Sequence, residues 1–187
     1  MKKYFLILGI ALLGCENYEN IVIVCSNYPA LDSKCATGFF VSKRDVLTAE
    51  HVRSYFSEDV LTIPGPGINK RTLNYRQIGE LDVLWIRFKE SLTDDEPFEI
   101  CPNLQIGTKV EAIGLLDWRD GPQIIEGVLL EEKNGLLYMS NQVRRRFSGG
   151  PIIDVERDCV IGVIHSYLED ENITIGTDIT KINLPID

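Results

Sequence analysis

The chain has 187 residues, 44% hydrophobic and 25% charged, a globular composition rather than a disordered or fibrous one, and long enough for one domain or two small packed subdomains. Its formal net charge is -9, which argues against nucleic acid as a partner, because phosphate would be repelled. The acidic surface is compatible with a basic substrate and equally with plain solubility.

Lys2 and Lys3 precede an uncharged apolar run over residues 4–13, which Gly14 and Cys15 end before the polar Glu16 and Asn17. A basic start, an apolar middle and a small-residue end predict a signal peptide over residues 1–15. The run is too short to span a bilayer comfortably, and no other segment reads as a span. Leu12-Leu13-Gly14-Cys15 resembles the lipobox of bacterial lipoproteins, which implies lipidation of Cys15 and a membrane anchor made by lipid alone. The alternative is an ordinary signal peptide with an incidental cysteine. Either way the expected location is outside the cytoplasm, in the cell envelope or extracellular.

After Asn20 the chain reads as strands and turns. Residues 21–25 are β-branched and apolar, residues 37–42 and 46–48 flank a polar turn at Lys43-Arg44-Asp45, and residues 81–88 are mostly apolar, as a largely buried strand would be. Residues 109–114, 123–130, 152–153, 159–164 and 173–177 continue the pattern. Turns are marked by Pro64-Gly65-Pro66-Gly67, Asp120-Gly121-Pro122 and Asn134-Gly135, and Thr93-Asp94-Asp95-Glu96-Pro97 is the best linker. Many short strands with frequent turns suggest an all-β barrel or sandwich. Beyond Cys15, four cysteines remain, Cys25, Cys35, Cys101 and Cys159. Their spacings match no metal motif, and three full disulfide pairings or free buried thiols all stay open.

Two segments carry chemistry. In Phe147-Ser148-Gly149-Gly150-Pro151 a serine sits where the backbone must turn tightly at the mouth of a strand. Such a turn exposes a nucleophile with backbone N–H groups beside it, although the same residues also make plain turns. Far upstream, Thr48-Ala49-Glu50-His51-Val52 carries one of only two histidines. Asp82, inside an apolar strand, needs a partner if it is buried.

Three segments, with a fourth downstream, together resemble the trypsin-like serine peptidases, in their bacterial branch. Gly38-Phe39-Phe40-Val41, followed by Val46-Leu47-Thr48-Ala49-Glu50-His51-Val52, is similar to the strand, turn and histidine of that family. Asp82-Val83-Leu84-Trp85-Ile86 resembles its Asp-x-Ala-x-Leu strand, and Arg146-Phe147-Ser148-Gly149-Gly150-Pro151 its Gly-x-Ser-Gly-Gly-Pro motif. Val160-Ile161-Gly162-Val163-Ile164 resembles the strand lining its cleft. The order His, Asp, Ser is the family's, and the resemblance runs from about residue 21 to about residue 182.

The resemblance implies an all-β fold of two packed antiparallel six-stranded-type β-barrels with the active site in the cleft between them. The peptidase domain would be residues 16–187, with one barrel over about 21–92, a linker over about 93–103 and the second barrel over about 104–187. His51, Asp82 and Ser148 would form the triad. A serine needs a base to take its proton, a histidine titrates near neutral pH, and an aspartate on the other ring nitrogen fixes the tautomer. The backbone N–H groups of Arg146 and Ser148 would form the oxyanion hole. Substrate contacts map to Gln142, Val143, His165 and Ser166. The implied partner is a protein or peptide, with no cofactor and no metal.

Departures from the family pattern sharpen these expectations. The family usually has glycine at Arg146, so a positive φ there would be strained. Phe147 replaces the aspartate that pairs with a new N-terminal amine in the animal digestive members, which excludes that activation route. Val52 replaces the cysteine that often braces the histidine turn. No PDZ-like domain is expected after the barrels. No aspartate sits at the base of the specificity pocket, which argues against a Lys/Arg preference. His165 lies one residue from the histidine of the glutamate-specific members and reads either as a charge reader or as a cleft wall. Arg144, Arg145 and Arg146 would attract an acidic substrate or form a solvated loop. The expected function is a secreted or lipid-anchored serine endopeptidase. The alternatives are an impaired trypsin-like barrel that binds peptide or protein in the envelope, and a purely structural β-domain.

Overall fold

The computed structural model describes residues 20–26, 35–55, 61–65, 68–71, 74–78, 80–115, 121–182 and 184. The expected signal peptide and Cys15 lie outside the described residues. Among the described residues thirteen strands run in chain order. The first half holds β1 (Ile21–Ser26), β2 (Cys35–Phe40), β3 (Asp45–Thr48), a 3-10 helix (Glu50–Tyr55), β4 (Leu61–Gly65), β5 (Ile68–Arg71), β6 (Asn74–Gln77) and β7 (Leu84–Arg87). The second half holds β8 (Lys109–Gly114), β9 (Gln123–Lys133), β10 (Leu136–Ser140), β11 (Pro151–Asp154), β12 (Cys159–Leu168) and β13 (Ile173–Asp178). Among the described residues no helix is long and apolar enough to cross a membrane.

All named strand pairs are antiparallel. The second half is the expected closed six-stranded barrel, in the order β10-β13-β12-β11-β8-β9. The first half differs in detail. It is a seven-stranded sheet, β5-β4-β1-β2-β3-β7-β6, with no pairing between its edge strands among the described residues. Those edge strands read Ile-Asn-Lys-Arg and Asn-Tyr-Arg-Gln, polar and cationic as sheet edges usually are.

Side-chain alternation divides the core. Val22 and Val24 of β1 pack with Phe40, Val46, Leu84, Ile86 and Phe88 on one face of the first sheet. Ile21, Ile23 and Cys25 point the other way, into a cluster that also takes Ile113, Ile153, Val160 and Val163 from the barrel. Successive strand residues face opposite sides, so a continuous apolar run such as β1 serves two cores at once. The second cluster therefore joins the two halves. A third fills the barrel, around Val110, Ala112, Leu137, Met139, Phe147 and Ile161.

Two cross-links complete the scaffold. Cys25 is bonded to Cys35, its register partner across β1 and β2. Cys101, in the segment joining the halves, is bonded to Cys159 at the start of β12. The open choice among pairings and free thiols thus resolves to this one pairing.

Candidate active site

His51 and Asp82 meet because of strand register. β3 and β7 are antiparallel neighbours, with Thr48 opposite Leu84. The C-terminal end of β3 therefore lies beside the N-terminal end of β7. His51 follows the first in the 3-10 helix, and Asp82 precedes the second in a bend. Ala49, Val52, Val83 and Leu84 are fully buried on either side and pin both segments. The other end of this strand pair is tied by the Arg87 Nε–H, which donates to Oδ1 of the fully buried Asp45 at 2.7 Å. Asp45 also accepts from the Ser42 hydroxyl.

Asp82 grips His51 twice. Its Oδ1 accepts the His51 backbone N–H at 2.7 Å, and its Oδ2 lies 2.7 Å from His51 Nδ1. With the carboxylate ionised, the second bond puts the ring proton on Nδ1 and leaves Nε2 as a proton acceptor.

Ser148 is placed by the turn between β10 and β11. Phe147 is buried in the barrel, its ring lying where a side chain at Gly114 would have to sit. Gly149 takes φ +85°, and a Cβ there would stand 2.1 Å from Thr48 Oγ1 and 2.2 Å from Thr37 O. Only glycine allows that approach and that φ. The turn is thereby pressed against the strands that lead to His51. Backbone bonds clamp it further. Thr37 N–H donates to Ser148 O at 3.0 Å, Gly149 N–H to Ile164 O at 2.8 Å and Ile164 N–H to Gly150 O at 2.8 Å.

The Ser148 hydroxyl donates to the carbonyl of His165 at 3.5 Å. Among the described hydrogen bonds none joins Ser148 to His51 and none uses the Ser148 N–H. Arg146, with an exposed side chain, takes φ +74°, the left-handed conformation expected to strain a non-glycine residue at this position.

The residues expected to contact substrate separate. Gln142 and Ser166 are half-buried. Val143 is inside the barrel core, its N–H donating to Thr174 Oγ1 at 3.0 Å, so its side chain is turned away from any cleft. His165 lies at a break in the β12–β13 ladder. Ile164 pairs with Gly176 and Ser166 with Ile175, so His165 is the extra residue of a β-bulge. A bulge re-aims the side chain that carries it. Here the ring turns to Asp82 and His51. His165 Nε2 lies 3.5 Å from Asp82 Oδ2, and the two histidine rings are 5.7 Å apart between centroids. His51, Asp82 and His165 each offer one ligating atom, all within 4.8 Å of one another.

Thr37 is the site residue that sequence reasoning missed. Fully buried in β2, its hydroxyl donates to Arg146 O at 2.7 Å and accepts the Leu115 N–H at 2.9 Å. Its own carbonyl accepts from the Thr48 hydroxyl at 2.7 Å. The available signal was a hydroxyl residue inside an apolar strand, where burial demands partners.

Comparison with solved structures finds the same fold. A serine endoprotease from Yersinia pestis superposes with a TM-score of 0.69 at 18% identity, over 86% of this chain and 59% of that one. The present chain thus spans under two thirds of that protein. A protease from M. tuberculosis in its active form gives 0.70 at 16% identity, over 91% of this chain and 84% of that one. An inactivated protease paralogue from the scabies mite gives 0.69 at 16%, over 86% and 89%. The chain has no sequence match among curated proteins. The family model of the trypsin-like peptidase domain matches residues 36–163. That span is more than half of the chain and contains His51, Asp82 and Ser148 in the family's order, so this chain belongs to the trypsin-like peptidase domain family.

Proposed function

We propose that this chain is an exported serine endopeptidase that cleaves protein or peptide substrates with Ser148, His51 and Asp82. The observation that carries the reading is the double grip of Asp82 on His51, which leaves Nε2 as a proton acceptor, with Ser148 on a glycine-backed turn pressed against the strands that lead to His51. Ser148 Oγ rotates from His165 O to His51 Nε2 when substrate enters. Hydrogen bonds of this kind often tighten only in the substrate complex. His51 then takes the hydroxyl proton as Oγ adds to the carbonyl carbon. The backbone N–H groups of Ser148 and Arg146 receive the oxyanion. His51 passes the proton to the leaving amine, and water releases the acyl group by the same route in reverse.

Export and anchoring rest on the leader-like residues 1–15, with Cys15 as the lipidated residue. The two disulfides support an oxidising compartment. For specificity, Gln142 and Ser166 are the contact residues we retain. The bulge at His165 favours a role on Asp82 over reading of the substrate side chain.

One observation favours a second reading, a cleft that binds peptide without cutting it. Arg146 is strained at the oxyanion hole and Ser148 Oγ is engaged away from His51. A fluorophosphonate probe separates the two. Wild type is expected to label and Ser148→Ala to stay silent. Arg146→Gly, relieved of its positive-φ strain, is expected to label at least as fast. Silence from both folded wild type and Arg146→Gly would overturn the peptidase reading in favour of a cleft without chemistry.

A further inference from the structure

We infer that His51, Asp82 and His165 form a binding site for a divalent transition metal of the zinc class, and that occupancy switches the triad off. The inhibitory half rests on the peptidase reading; the binding half does not.

The donors are two imidazole nitrogens and one carboxylate oxygen. That set suits Zn2+ or Cu2+ and not Mg2+ or Ca2+, which prefer all-oxygen shells. Two histidines with one carboxylate, plus a water at the fourth position, is a familiar zinc coordination. The spacing is close to what such a site needs. Ligand atoms about 2.0–2.1 Å from a tetrahedral ion stand roughly 3.3 Å apart. Here Asp82 Oδ2 lies 2.7 Å from His51 Nδ1 and 3.5 Å from His165 Nε2. Small side-chain rotations, opening the first gap and closing the second, make room for the ion. The way in is open, since the side chains of His51 and His165 are 34% and 37% exposed.

The bulge is what makes the site. Without the extra residue between Ile164 and Ser166, the side chain at position 165 would follow the alternation of β12, and the ring would not meet Asp82. Among the described residues, His165 Nδ1 is buried and has no hydrogen-bond partner, so no such bond holds the ring against rotation toward an ion.

Inhibition follows from proton bookkeeping on His51. In the resting pair the ring proton is on Nδ1. A metal ion on Nδ1 requires that nitrogen's lone pair, so the proton moves through solvent to Nε2. Nε2 then donates and cannot accept the proton of Ser148 Oγ. The metal thus holds His51 in the tautomer that cannot act as a base, without touching Ser148 or the oxyanion hole.

The test uses the untagged full chain carrying Ser148→Ala, which prevents self-cleavage. Co2+ is titrated and its visible d–d bands recorded, with Zn2+ in competition. One equivalent in a tetrahedral spectrum is expected. His165→Ala and Asp82→Ala in that background should each weaken binding by at least about tenfold. In parallel, Zn2+ should abolish fluorophosphonate labelling of wild type, and a chelator should restore it. Absence of Co2+ binding, or equal binding by His165→Ala, overturns the site. Saturating Zn2+ that leaves labelling of wild type unchanged overturns the switch. If neither metal-free wild type nor Arg146→Gly labels while Co2+ binds through His165, the site stands and the peptidase reading fails.

Discussion

Thr37 has one hydroxyl, and it serves both halves of the molecule. It donates to the carbonyl of Arg146 and accepts from Leu115 N–H, while its main chain holds Ser148 O. A buried hydrogen-bonding group left without a partner costs about 1–3 kcal/mol. Thr37→Val keeps the shape and strands two such groups, so we expect a loss of about 2–4 kcal/mol in urea unfolding. The same change frees the peptide that follows Arg146, whose φ of +74° is held partly by this bond. Fluorophosphonate labelling should therefore slow even in conditions where the variant stays folded. Thr37→Ser, which keeps the hydroxyl, should recover most of both effects. Labelling at the wild-type rate in folded Thr37→Val would mean that the Arg146 peptide needs no tether.

At the scale of elements, the serine turn works by contact with the strands beside it. Gly149 is the point of contact, with Thr48 Oγ1, Thr37 O and Ala49 N all closer than a Cβ tolerates. Gly149→Ala adds both that clash and a non-glycine residue at φ +85°. Overpacking alone costs about 1–3 kcal/mol and a misplaced left-handed residue about 1–2 more. The expected result is a fall of at least about 2 kcal/mol in unfolding free energy together with loss of labelling. Wild-type stability would show that the turn can move off β2 freely.

The same elements show what a sequence can and cannot reveal. β8 was legible to the residue, because its apolar side chains report burial directly. The Asn134-Gly135 turn was legible because both residues take positive φ in a two-residue hairpin loop. β4, β5 and β6 were not, since proline, glycine, lysine and arginine interrupt any strand pattern. Asp82 was legible within its motif, although it lies in the bend before β7 rather than in the strand. The His165 contact was hidden for a different reason. Reading alternation along β12 assumes an unbroken ladder, and a one-residue bulge reverses every side-chain assignment beyond it.

At the scale of the whole molecule, the two disulfides do unequal work. Cys25–Cys35 closes a separation of 10 residues within paired strands. Cys101–Cys159 closes 58 residues and fastens the connecting segment to β12, where Cys101 N–H donates to Val160 O at 2.9 Å and Val160 N–H to Glu99 O at 2.8 Å. If the main effect is loop entropy in the unfolded chain, the shorter link contributes about 3 kcal/mol and the longer about 4 kcal/mol. Replacing each pair by serines and unfolding in urea should rank them in that order. The consequence for the site is more discriminating than the ranking. His51 and Asp82 come from the first half and Ser148 from the barrel, so the proposed catalysis depends on how the halves are seated. The connecting segment is part of that seating, with Ile100 bridged to Val160 and Phe98 and Ile100 packed on the shared core. The Cys101→Ser, Cys159→Ser protein should therefore lose labelling rate while still folded. The Cys25→Ser, Cys35→Ser protein should lose stability with little change in rate, because its link lies within one sheet. Equal rates in both would place the seating of the halves in the shared apolar cluster alone.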